Sequence, residues 1–182
     1  MKTVTRITLL LLISLTIFSC KEEKKEKEIT VEESEIDTQG EMTTDMAETS
    51  FKSGLSGDVF HHYLEVKSAL FDADEKAVSV AAANMARGLK EGHPEIGKLA
   101  ADISRAKDID TQRLLFSEFT HELEPLIYDN LQNGQIYKQY CPMAFDNKGA
   151  YWLSDSKEIR NPYFGEKMAN CGSVKETITP KS

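Results

Sequence analysis

Cysteine is scarce in this 182-residue chain, which has three. None lies in a Cys-x-x-Cys pair, so the usual dithiol redox motif is absent. Histidine is nearly as rare, at four residues, and His121-Glu122 is followed by no second histidine at zincin spacing, which excludes that protease motif. No Gly-rich phosphate loop occurs among the ten glycines. No order of residues marks a cysteine nucleophile with a histidine base, so the chain is read as a non-enzyme. There is no repeat of propeller or solenoid period. Basic patches are missing too: the net charge is −8 at pH 7, of which residues 51–182 carry −3, so nucleic acid is not an expected partner.

What is present begins with targeting. Lys2 and Arg6 precede an apolar run from Ile7 to Phe18, too short to span a bilayer and typical of a secretion signal over residues 1–19. The run ends in Ile17-Phe18-Ser19-Cys20, which resembles the lipobox of bacterial lipoproteins, with a small residue just before the cysteine. That resemblance implies a lipidated Cys20 as the first mature residue. Lys21-Glu22-Glu23 is similar to the acidic export tag of Bacteroidota surface lipoproteins, so either face of the outer membrane is open. From Lys21 to Ser50 there are eleven acidic and four basic side chains and few large apolar ones. Such a segment buries too little apolar surface to offset ordering entropy, and residues 20–50 are expected to form an acidic tether.

Residues 51–182 suffice for one domain. Ser56-Gly57-Asp58 can cap a first helix, with Val59, Tyr63, Val66 and Leu70 at helical spacing. Asp72 to Asp74 break it, and Glu75 to Lys90 reads as a second helix whose alanine-rich face admits a close neighbour. A weaker third helix spans about Glu95 to Lys107. The longest follows Asp108 and reaches Asn133-Gly134, with a kink or break expected at Pro125. Four helices on short connections predict an all-α antiparallel bundle, with strand confined to a small C-terminal lobe.

That lobe, Tyr140 to Val174, holds Cys141, Cys171, Met143, Met168 and the single tryptophan, Trp152, which is expected to pack the lobe onto the bundle. Asp146-Asn147-Lys148-Gly149 predicts a tight turn between two short strands, Cys141 to Phe145 and Ala150 to Leu153, with Cys141 and Met143 on one side. Asn161-Pro162 predicts the start of a short helix closed by a left-handed Gly172, which places Met168 and Cys171 on one face of its last turn. Thiolate and thioether ligands together select Cu(I) or a similar soft ion. The same residues fit a plain alternative, in which the methionines fill the core and Cys141 and Cys171 form a disulfide contributing roughly 3 to 4 kcal/mol. His61, His62 and His121 are optional further ligands if the bundle brings them beside Cys141; surface or capping roles, as for His93, are the alternative.

Several of these residues together carry a resemblance. Asp110-x-Gln112-Arg113-x-x-Phe116, Tyr140-Cys141-Pro142-Met143-Ala144, Lys148-Gly149-Ala150-x-Trp152-Leu153-Ser154, Ile159-x-Asn161-Pro162-Tyr163-Phe164-Gly165 and Met168-x-x-Cys171-Gly172 resemble a Bacteroidota lipoprotein family, domain of unknown function number 3347, over about residues 56–178. A related domain occurs fused to adaptor subunits of heavy-metal and copper efflux pumps. The resemblance implies binding or transfer of copper-like ions in the envelope, with efflux components as partners and Cys141, Met143, Met168 and Cys171 as matching ligands. The chain lacks the adaptor's hairpin and barrel segments, so it is not expected to be the adaptor itself.

Overall fold

Four amphipathic stretches become four helices, and the chain then turns into a small sheet. The computed structural model describes residues 49–181. The expected signal, the lipobox-like stretch with Cys20 and nearly all of the expected tether lie outside the described residues. Helices α1 (Gly54–Phe71), α2 (Glu75–Leu89), α3 (Pro94–Arg105) and α4 (Ile109–Asn130) follow one another on short breaks. Each packs on the next, and α4 closes back onto α1. Their buried stripes, from Val59, Tyr63 and Leu70 through Val78, Ala82 and Met85 to Phe116, Phe119 and Ile127, meet in one core.

The helix boundaries follow local chemistry. Asp74 caps α2 by accepting from the Ala77 amide at 2.9 Å, and Asp108 caps α4 by accepting from the Thr111 amide at 2.8 Å. α1 begins at Gly54, ahead of the expected Ser56 cap, and its N-cap residue Ser53 makes no side-chain bond. Pro125 does not divide the last helix: α4 runs as one element through it, with buried Leu123 and Ile127 on either side. Core packing on both flanks offsets the hydrogen bond that Pro125 cannot donate.

Strand is more extensive than a short hairpin. β1 (Ser50–Phe51) pairs antiparallel with β2 (Leu131–Asn133), directly after α4. β3 (Ile136–Cys141), β4 (Ala150–Ser154) and β5 (Ser173–Ile178) form an antiparallel sheet in the order β4-β3-β5. The protein is therefore helix-rich with a three-stranded C-terminal sheet, rather than all-α. The third strand escaped prediction because β5 is exposed along nearly its whole length, so it carries no inward apolar pattern. Its pairing with β3 forms it.

The sheet rests on the helices through polar and aromatic ties. Tyr63 on α1 is fully buried; its hydroxyl accepts from the Leu153 amide at 3.0 Å and meets the Thr120 hydroxyl of α4 at 2.9 Å. Burial holds this phenol well above its ordinary value, so it stays neutral. Arg113 on α4 donates to the Leu70 and Pro162 carbonyls, each at 3.0 Å, and so joins the end of α1 to the segment after β4. Trp152 is fully buried in the core that the lobe shares with the helices, and it meets the Tyr163 ring edge-on at 5.9 Å between centroids.

Candidate metal centre

Cys141 is the last residue of β3 because Pro142 follows it and has no amide to donate to the ladder. The register sets Cys141 opposite Ala150, and Cys141 is fully buried. Met143 therefore lies outside the strand, in the turn that follows, and does not share a strand face with Cys141 as the alternation predicted. The turn to β4 is left-handed over three consecutive non-glycine residues, Phe145, Asp146 and Asn147, with φ of 51°, 58° and 65°. Asp and Asn tolerate that region, whereas for the bulky Phe145 it is strained. Edge-on contact of Phe145 with Tyr163, at 5.2 Å between centroids, and the Gly149 amide donating to the Ala144 carbonyl at 2.9 Å hold it there.

The partner segment is organised by Asn161. Its side chain accepts from the Tyr163 amide at 2.9 Å and donates to the Cys171 carbonyl at 2.8 Å, while its own amide donates to the Ala169 carbonyl at 3.0 Å. Asn161 thus caps a turn and pins the Cys171 loop at once. The expected helix from Pro162 shrinks to a 3-10 turn, Gly165–Met168. Gly165, at φ 59°, sits so near α1 that a Cβ would lie 2.5 Å from the Phe71 carbonyl oxygen, and this left-handed step leaves no room for a longer α-helix. Gly172 is not a left-handed cap; at φ 152° it leads into β5, and a Cβ there would lie 2.8 Å from Trp152.

These two segments bring the sulfurs of Cys141 and Cys171 to 2.8 Å across thirty residues of sequence. Cys171 is partly exposed, which leaves one side of the pair open. The hydrogen bond with Cys141 pushes the Cys171 thiol above its ordinary value; burial acts in the same direction and the Met143 amide in the opposite one. A thiol held protonated in this way is a poor nucleophile.

The methionines are placed differently from each other. Met143 is 45% exposed and lines a groove of about 690 Å³ with Leu114, Phe145 and Phe164, beside the start of α4. Met168, partly buried, ends the 3-10 turn and does not line that groove; its carbonyl accepts from the Cys171 amide at 3.0 Å. Of the histidines, His121 is exposed on α4 and His93 precedes α3 without a side-chain cap bond. His61 and His62 gather with Glu65 on α1, in a cluster that includes neither cysteine. Sequence reasoning passed over Glu65, although spacings of four and three from the two histidines place it on their helix face. It also passed over Tyr63, Arg113 and Asn161 as the residues that position the lobe.

Residues 59–134 match the family model described as a protein of unknown function (DUF3347). No curated protein matches the chain, and no solved structure does. The matched span runs from α1 into β2 and stops short of Cys141, so the sulfur pair lies beyond it. Within the span, the Asp110-x-Gln112-Arg113-x-x-Phe116 stretch has a structural explanation. The buried Gln112 amide donates to the Glu75 carbonyl at 3.0 Å and to the Ser79 hydroxyl at 3.2 Å, Arg113 ties α4 to α1, and Phe116 stacks on Tyr63 at 4.8 Å.

Proposed function

We propose that the chain is an envelope lipoprotein, anchored to the outer membrane through Cys20, that binds or hands over a soft, Cu(I)-like ion in heavy-metal homeostasis or efflux. Cys141 and Cys171 are its thiolate ligands, with Met143 and Met168 as thioether ligands. The observation that carries this reading is the convergence of two sulfurs, one fixed by the end of a strand and the other by the Asn161 loop. Soft sulfur donors favour such an ion over magnesium or calcium. Thiolate ligation requires loss of the thiol protons, so uptake of an ion releases protons. At a metal–sulfur distance of about 2.3 Å, two thiolates in a tetrahedral shell stand roughly 3.8 Å apart, so the pair must open by about 1 Å to admit an ion.

A second reading has its own support. Sulfurs 2.8 Å apart, with no third cysteine, histidine or carboxylate clustered around them among the described residues, also suit a disulfide-stapled interaction module that binds no metal. Thiol titration of the purified, unreduced protein, followed by Cu(I) competition after reduction, separates the two. Two free thiols and tight stoichiometric copper uptake support the ion site. No free thiols, and no uptake after reduction, leave the staple.

A further inference from the structure

We infer that His61, His62 and Glu65 form a second metal site on α1, for a divalent ion of borderline softness such as Zn2+, Ni2+ or Cu2+. It is independent of the cysteine pair, and neither inference requires the other.

The site follows from helix geometry. Residues three and four apart share a helix face, so Glu65 is reached by both histidines although the two are adjacent in sequence. The carboxylate spans them with separate oxygens: Oε2 lies 2.7 Å from His62 Nδ1, and Oε1 lies 3.4 Å from His61 Nε2. All three donor atoms lie within 4.8 Å of one another. Donors around one zinc ion at about 2.0 to 2.2 Å stand roughly 3 to 3.5 Å apart, so side-chain rotation on a fixed helix suffices to close the shell. The donor set is two imidazole nitrogens and a carboxylate, without sulfur. That chemistry suits Zn2+, Ni2+ or Cu2+ better than Cu(I), magnesium or calcium.

Access and rigidity point the same way. The His61 and Glu65 side chains are 71% and 47% exposed, so an ion enters without displacing any core residue. The opposite face of the same helix turns is anchored by buried Phe60, Tyr63 and Val66, which fixes the backbone carrying the donors. Three protein ligands leave further coordination positions open to water or to an incoming donor. The alternative is that the trio is a surface hydrogen-bonded ion pair, which contributes little to stability.

The test is Zn2+ titration of the purified protein followed by the imidazole nitrogen resonances, a readout blind to zinc held by thiols. The expected result is a saturable shift, complete at one equivalent, at the coordinating nitrogens of His61 and His62, with His93 and His121 unmoved. In the double variant His61→Gln, His62→Gln these shifts disappear, while any thiol-bound zinc is retained. Glu65→Gln weakens the zinc response by about an order of magnitude. All of these substitutions are at solvent-accessible positions, and far-UV circular dichroism checks that the helix persists. The inference is overturned if the two rings do not respond, if all four histidines shift together without saturation, or if Glu65→Gln leaves the titration unchanged.

Discussion

The helical part and the C-terminal sheet lobe share one apolar core but differ in how much directed bonding orients them. Between the helices the contact is largely apolar, from Val59 on α1 to Ile127 on α4, with polar ties such as the Gln112 amide to the Glu75 carbonyl. The lobe buries Trp152, Leu153 and Ile178 in the same core and is further oriented by a few directed bonds from Tyr63, Arg113 and Asn161, together with close backbone approaches at Gly165 and Gly172. Apolar stripes tolerate exchange of one hydrophobic side chain for another of similar volume, whereas a directed bond fixes one atom against another. The lobe's construction is what a pair of sulfurs needs in order to meet across thirty residues.

Four substitutions test this contrast. The largest effect is expected from Trp152→Ala, which removes the biggest buried side chain of the lobe and should cost about 3 to 5 kcal/mol in urea unfolding. A single shared transition would show that lobe and helices unfold together; two transitions would separate them. Tyr63→Phe keeps the ring and deletes the hydroxyl, leaving the buried Leu153 amide unpaired, and is expected to cost about 1 to 3 kcal/mol. A loss well below that range would mean that apolar contact alone seats the sheet.

Met168→Leu conserves volume, so its stability cost should stay below about 1.5 kcal/mol while Cu(I) competition records weaker binding. Unchanged affinity would assign Met168 to packing. The smallest effect is at the Asp108 cap, where hydrogen bonds from the Thr111 amide, and then from its hydroxyl, hold the carboxyl below its ordinary value. The folded value lies below the unfolded one, so this contribution is present above the unfolded carboxylate range and is lost as pH falls through the folded value. Asp108→Asn should flatten that part of an acid-unfolding profile followed by circular dichroism.

The two regions also differ in how far they could be read in advance. The helices were legible because Val59, Tyr63, Val66 and Leu70, or Val78, Ala82, Met85 and Leu89, repeat at helical spacing, and because Asp74 and Pro94 mark starts. At Pro125 the division into two helices does not occur, since the local penalty is outweighed by packing that only the assembled core supplies. In the lobe, Cys141 and Cys171 were paired from the sequence and do stand side by side, but the path to their meeting was not legible. Met143 was placed in a strand that Pro142 ends, and a helix was drawn where Gly165 must fit against the Phe71 carbonyl. The sheet was under-read because an exposed strand such as β5 is defined by its partner, and pairing across distant segments leaves no periodic trace. Glu65 was missed for another reason. A carboxylate on a helix surface is ordinary until its neighbours at three and four positions are considered with it.

The short β1–β2 pair has a mechanical consequence. The described chain enters through Ser50–Phe51, which is laid against Leu131–Asn133, with the Lys52 amide donating to the Asn130 carbonyl at 2.8 Å. A pull on the amino-terminal segment is therefore first resisted at the junction where α4 gives way to the sheet. The strand leading to Cys141 begins only a few residues farther along, so the entry of the described chain and the cysteine strand adjoin the same end of α4.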